Sequence, residues 1–133
     1  MALKNLLRKN STFMKFYNAV SYDDDNVKIF SSLYEHERML ADKVRLDAYY
    51  RAIKKYVNKG DTVVELGTGT GILSLFASME KPKKIYAIDH SKIIDVAKSI
   101  SQHNRIDNIE FVNLNSRQFS IPEKADVIIQ EQI

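Results

Sequence analysis

Apolar side chains in the first half of the chain recur every three or four positions. In the second half they cluster in short runs separated by glycine- and lysine-containing breaks. An α-helix turns every ~3.6 residues, whereas a strand buried on both faces is apolar throughout, so the two halves predict different elements. Over residues 37–57 the series Met39, Leu40, Val44, Ala48, Tyr49, Ile53 and Val57 predicts one amphipathic helix. Asn58-Lys59-Gly60 stops it, with Gly60 suited to a left-handed cap. Residues 1–20 have helix-compatible spacing (Leu3, Leu6, Leu7, Phe13, Phe16, Tyr17), and Asp23-Asp24-Asp25-Asn26 marks a turn or a helix start.

From Thr62 the period changes. Strands are predicted at 62–66, 85–88, 109–114 and 126–130, and helices at 72–79 and 91–103. A glycine loop at 67–71 joins the first strand to its helix. Strands alternating with helices imply right-handed crossovers and a parallel sheet. The run Val127-Ile128-Ile129 agrees, because parallel strands are covered on both faces. The fold class is α/β, with an N-terminal helical region over residues 1–57 and a sheet domain over 58–133.

A length of 133 residues makes one domain or a large part of one. The chain lacks cysteine, which excludes disulfides, thiolate-ligated zinc and thiol catalysis. The net charge of +3 is mild for a nucleic-acid binder. Lys4, Arg8, Lys9 and Lys15 concentrate it in residues 1–20, as on the solvated face of a helix. No apolar run approaches the ~20 residues of a membrane span, and the basic start lacks the apolar core of a secretory signal. These features predict a soluble, cytoplasmic protein.

The candidate chemistry lies in Glu65-Leu66-Gly67-Thr68-Gly69-Thr70-Gly71. A strand precedes this loop and a helix follows it, as a nucleotide-binding turn requires. It lacks the Gly-Lys-Ser/Thr ending of a phosphate-binding Walker loop. A dinucleotide loop needs glycine or alanine where Ile72 stands, and Glu65 would repel a pyrophosphate. The same acid suits a ligand with an ammonium group and no phosphate. Asp89 ends the next strand, eighteen residues after Gly71, and one carboxylate can accept from two vicinal hydroxyls. A helix N-cap ahead of Ser91 is the competing role.

Glu65-x-Gly67-x-Gly69-x-Gly71 resembles the first motif of the class I S-adenosylmethionine-dependent methyltransferases. A longer stretch, His36-Glu37-Arg38-Met39-Leu40-Ala41-Asp42-Lys43-Val44-Arg45, is similar to a segment of the protein arginine methyltransferases. Gly71-Ile72-Leu73-Ser74-Leu75-Phe76-Ala77 and Asp126-Val127-Ile128-Ile129-Gln130-Glu131 continue that likeness.

The resemblance implies the N-terminal half of a Rossmann-like methyltransferase fold, with parallel strands in the order 3-2-1-4 and helices on both faces. It implies S-adenosylmethionine as cofactor and S-adenosylhomocysteine as product, without a metal. Glu65, Gly67, Thr68, Gly69 and Gly71 would cradle the methionine and ribose parts, and Asp89 the ribose. His36 and Met39 would close over the methionine end, and Arg45 would pair with its carboxylate. Asn115, Ser116 and Arg117 stand where the family contacts adenine. Glu131 would be the catalytic carboxylate, the first of two that grip an acceptor guanidinium. The second is expected about nine residues further on, past Ile133.

Asn26, Val27 and Phe30 depart from the family's aromatic signature, and Gln132-Ile133 from its Trp-Met. The methyl acceptor is left open between protein arginine, a small molecule and RNA. A cofactor-binding or interaction module without catalysis is the alternative. The fourth strand is expected as an exposed apolar edge, covered by a further C-terminal region or by a second copy in a homodimer.

Overall fold

The structure is a computed structural model that describes residues 26–131, with side chains from Leu33 onward. The basic segment at 1–20, the run Asp23-Asp24-Asp25, the side chains of Asn26, Val27 and Phe30, and Gln132-Ile133 fall outside the described residues. The chain divides into two compact units, Met1–Lys43 and Val44–Ile133. In the first, α1 (Asn26–Ala41) carries an exposed ion pair one turn apart, Arg38 to Glu35 at 3.5 Å.

The helix expected over 37–57 is interrupted. α1 ends at Ala41 and α2 (Lys43–Tyr56) follows after Asp42. An aspartate is a poor residue inside a helix and a good one just ahead of it. Apolar spacing counted across Asp42 therefore does not describe one face, and Val44 is 80% exposed. The buried stripe of α2 is Leu46 and Ile53, with Tyr49 packed beside Ile53 and with Val57 just past the helix end. This helix shares its compact unit with the sheet, although its sequence position groups it with the N-terminal helical region.

The sheet has four parallel strands in the order β3-β2-β1-β4. They are β1 (Thr62–Leu66), β2 (Lys84–Ile88), β3 (Ile109–Val112) and β4 (Val127–Gln130). The register sets Val63 beside Ile85 and Val127, and Leu66 beside Ile88 and Gln130. The order expected from sequence is the one found. Asp126 joins the starts of β1 and β4: its Oδ2 accepts from the Thr62 N–H at 2.8 Å, and its own N–H donates to Thr62 O at 2.8 Å.

One face carries Val63, Ile85 and Ile129, packed against Ile53 and Val57 and against Leu73 and Ala77 of α3 (Ile72–Met79). α4 (Ile94–His103) approaches the same side. A methyl group on Gly71 would stand 3.0 Å from Ala97 Cβ and 3.5 Å from the Phe111 ring. Within the sheet's own unit, the described residues that pack on the opposite face belong to a connecting segment rather than to an α-helix. Val64, Tyr86 and Ile88 lie there beneath Phe119, Ile121 and Ala125 of the connection from β3 to β4. That connection forms only a short 3-10 turn at Ser116–Gln118. Pro122 cannot donate to a helix ladder, and Phe119 and Ile121 alternate toward the sheet as extended chain does. The cover ends short of β4, so Ile128 is 64% exposed.

Gly60 has φ +90° with nothing near a would-be Cβ, but it lies in the turn closed by Asp61 N–H to Asn58 O at 3.2 Å rather than capping α2, which ends four residues earlier at Tyr56. Gly71 combines φ +81° with the close approach of Ala97. Gly60→Ala is therefore expected to cost only the backbone penalty, about 1 kcal/mol. Gly71→Ala adds an overpacking cost of about 1–3 kcal/mol. Chemical denaturation of the two variants checks this order, and equal losses would contradict it.

Candidate cofactor site

Alternation along β1 turns Val63 and Glu65 toward the helix-covered face, and Glu65 is only 2% exposed. A buried carboxyl requires donors, and the adjoining segments supply them. Thr68 Oγ1 donates to Glu65 Oε2 at 2.7 Å, and Ser74 Oγ donates to the same oxygen. The Ser74 backbone N–H adds a third bond. One side chain thus ties the strand tip to the glycine loop and to the start of α3. Burial outweighs the three bonds and pushes the Glu65 carboxyl up from the ordinary 4.5 to about 7, with a smaller push from Asp89.

The backbone amides of the loop are taken up inside the fold. Gly67 and Thr68 N–H both donate to Ile88 O at 2.9 Å, and Gly71 N–H donates to Thr68 O at 2.8 Å. Gly69 N–H donates to Asp89 Oδ2 at 2.9 Å. Gly67 and Gly69 have φ +76° and +53°, which lets the chain make these reversals without strain. These four amides are thereby occupied and do not form a phosphate nest.

Asp89 Oδ1 accepts from Ser91 N–H at 2.8 Å and Ser91 Oγ at 2.7 Å. The N-cap role weighed against ribose binding is thus realised as a local turn, because α4 begins only at Ile94 rather than at residue 91. Asp89 also reaches back to Gly69, so its carboxylate links the exits of β1 and β2. β3 ends at Val112, two residues before the limit expected from sequence. The reason is Asn113, whose Nδ2 donates to Asp89 O at 3.0 Å and to Ser91 O at 3.1 Å. Asn115 Oδ1 then accepts from Arg117 N–H at 3.0 Å, which shapes the 3-10 turn bearing Ser116 and Arg117.

At the exit of β4, Arg45 Nη1 lies 2.6 Å from Glu131 Oε1, with both side chains largely covered. Tyr49 stands one helical turn after Arg45 and packs on the core that contains Ile129. Desolvation, followed by the negative charge of Glu131, raises the Tyr49 hydroxyl above its usual range, while Arg45 partly offsets this. Arg45 and Glu131, assigned separate partners from sequence, hold each other. Glu65, Gly67, Thr68, Gly69, Gly71 and Asp89 are brought together at the exits of β1 and β2. His36 and Met39 lie on α1, in the N-terminal unit.

Ser74, Ser91, Asn113 and Tyr49 are absent from the sequence-based site. Ser74 had a readable signal, since a hydroxyl in the apolar run Ile72-Leu73-Ser74-Leu75-Phe76 needs a partner if buried. Asn113 had none, because its role depends on the strand order.

The donor set fits a cofactor that is cationic and free of phosphate. Asp89 sets a carboxylate beside the loop, four of the five loop amides are taken up, and Glu65 holds the loop from inside the core. Four parallel strands in this order, with acids at the tips of β1 and β2 around a Gly-x-Gly-x-Gly loop, define a Rossmann-like methyltransferase domain.

A family model described as ribosomal protein L11 methyltransferase (PrmA) matches residues 48–131. Protein arginine N-methyltransferase PRMT10 of Arabidopsis thaliana is 39% identical over 105 residues, which is 77% of this chain and 27% of that protein. A solved structure of Arabidopsis thaliana protein arginine methyltransferase 10 superposes with a TM-score of 0.69 at 38% identity, over 74% of this chain and 29% of that one. The Trypanosoma brucei PRMT1 enzyme–prozyme heterotetrameric complex with S-adenosylhomocysteine gives 0.68 at 33% identity, over 72% and 31%. The chain belongs to the class I S-adenosylmethionine-dependent methyltransferase family, to which the ribosomal protein L11 methyltransferase (PrmA) model assigns it, and it resembles the protein arginine methyltransferases. It spans about a quarter to a third of the length of these relatives.

Glu65 makes stability depend on pH. Between pH 4.5 and about 7 the folded chain keeps a proton that the unfolded chain has released. The stabilisation from a neutral Glu65 is complete below 4.5 and fades as pH rises through 7. At ~1.4 kcal/mol per unit the loss reaches up to ~3 kcal/mol. Unfolding curves for wild type and Glu65→Gln at several pH values should converge at low pH and diverge through this window, with the variant relatively more stable above pH 7. A constant difference would show that Glu65 is ionised throughout.

Proposed function

We propose that the chain forms the cofactor half of a methyltransferase that uses S-adenosylmethionine to modify a cationic nitrogen, with protein arginine as the favoured acceptor. The observation that carries this reading is Glu131, held by a guanidinium at the exit of β4, beside a loop suited to a phosphate-free cation. Gly67, Thr68, Gly69 and Gly71 would line the methionine and ribose parts, with Glu65 holding the loop from beneath, and Asp89 would meet the ribose. Ser116 and Arg117 would border the adenine, and His36 and Met39 would close the methionine end. The names of the matched family and of its relatives both describe methylation of proteins, which favours a protein over RNA or a small molecule.

When bound, S-adenosylmethionine supplies a methyl group on a cationic sulfur that leaves as a neutral thioether. The protein then has to position the acceptor and manage its charge. Arginine stays protonated in proteins, so Glu131 would hold the guanidinium charge and aim one nitrogen at the methyl carbon. Arg45 would be drawn from Glu131 by the cofactor carboxylate, which a guanidinium fork matches as well as it matches a glutamate. The open edge of β4 and the exposed Ile128 favour a covering segment, from a longer chain or from a second copy.

Calorimetry with S-adenosylhomocysteine should show saturable binding by the folded chain, weakened about tenfold or more in Asp89→Ala. Glu131→Gln should bind at least as tightly as wild type, because Arg45 no longer has a competing carboxylate. In a full-length form it should lose methyl transfer to an arginine peptide. Lack of binding by folded wild-type chain would sink the cofactor reading. Intact transfer by Glu131→Gln would sink the acceptor role.

A further inference from the structure

The carboxylate of Asp89 is nearly saturated before any ligand is considered. Two carboxylate oxygens offer about four acceptor sites. Ser91 N–H and Oγ take up Oδ1, and Gly69 N–H takes one site on Oδ2. One site remains fully open, so accepting both hydroxyls of a ribose requires Ser91 Oγ to rotate away from Oδ1. The direction of the open site then depends on how rigidly the turn at 89–91 is held. The backbone N–H of Asp89 is anchored to Val112 O at 3.1 Å. The Asn113 amide holds both the Asp89 and Ser91 carbonyls, and the Ile94 N–H adds a longer bond of 3.4 Å to Ser91 O alone. Among the described residues, no other side chain bonds to those two carbonyls.

We propose that Asn113 is a positioning residue for ribose recognition. Its amide clamps the Asp89–Ser91 turn from the exit of β3, so that Asp89 presents one fixed acceptor site and Ser91 one exchangeable hydroxyl to the cofactor. This rests on the cofactor reading above and goes beyond it, since it assigns the ribose selectivity to a side chain that acts through the Asp89–Ser91 turn. Asn113 is exposed and lies outside the core, so its role is separable from folding.

Two measurements on Asn113→Ala test this. The first needs no cofactor and follows amide hydrogen exchange. The Gly69 and Ser91 amides, which bond to Asp89, should exchange about tenfold faster once the clamp is gone, as expected for the loss of roughly one hydrogen bond. The Gly67 and Thr68 amides, which bond to Ile88 O, should be unchanged. The second compares S-adenosylhomocysteine with its 2′-deoxyribose analogue by calorimetry. Wild type should prefer the ribose form about tenfold, and Asn113→Ala should lose most of that preference while keeping its affinity for the deoxy analogue.

Equal weakening of both ligands, or unaltered exchange at Gly69 and Ser91, would overturn the proposal and leave Asn113 a surface staple. Asn113→Asp, which keeps the shape but replaces the donor by an acceptor, should behave like the alanine variant. Full selectivity in Asn113→Asp would likewise overturn the proposal. Failure of wild type to bind S-adenosylhomocysteine would bring down the cofactor reading instead, while the exchange measurement would still decide whether Asn113 holds the turn.

Discussion

The carboxyl group of Glu65 is the point on which the site depends. It sits at the last turn inward of β1, out of reach of water, and accepts from Thr68 and Ser74. A buried acid without these partners would cost several kcal/mol, so strand, loop and helix form together or not at all. The loop cannot drift from the sheet, because Thr68 is tied through its side chain to Glu65 and through its N–H to Ile88. α3 cannot shift along its axis, because Ser74 is held by the same carboxyl. The raised pKa of Glu65 is the visible trace of this arrangement, since burial favours the neutral form that the two hydroxyls can still satisfy.

The second layer of order spreads sideways across the exits of the strands. Asp89 bridges from β2 to Gly69 of the loop after β1, and Asn113 bridges from β3 to the turn after β2. Each bond is individually modest, about 1 kcal/mol, yet the set is connected end to end, and connected networks hold geometry better than isolated pairs. On the other side of β1, the exit of β4 carries the Arg45–Glu131 pair under partial cover. The residues proposed for the cofactor and for the acceptor thus lie along one rim of the sheet, where ligands of open parallel sheets bind.

Much of this was legible in sequence, for identifiable physical reasons. The β-branched runs and the glycine loop announced the alternation of strand and helix, and parallel crossovers follow from it. The order β3-β2-β1-β4 matched the resemblance. Two features escaped. Val44 fits the helical spacing but lies across the Asp42 break, where periodicity carries no information about facing. The segment 113–126 covers one sheet face as extended chain, which apolar content alone cannot separate from a helix. The residues proposed in advance and brought together by the strand exits were those next to glycines or at strand tips. Ser91 and Asn113 act through backbone atoms of segments remote in sequence or in strand order, so their partners emerge only once the strands are laid side by side.

We propose that the rim formed by the exits of β1, β2 and β4 receives S-adenosylmethionine. A titration of the folded, nitrogen-15-labelled chain with S-adenosylhomocysteine, followed by amide chemical shifts, tests it most directly. Saturable shifts at Thr68, Gly69, Asp89, Ser91 and Glu131 are predicted. The opposite end of the sheet, around Lys81, Arg105 and Asn108, should stay still. An unresponsive spectrum, or shifts confined to that opposite end, would contradict the account.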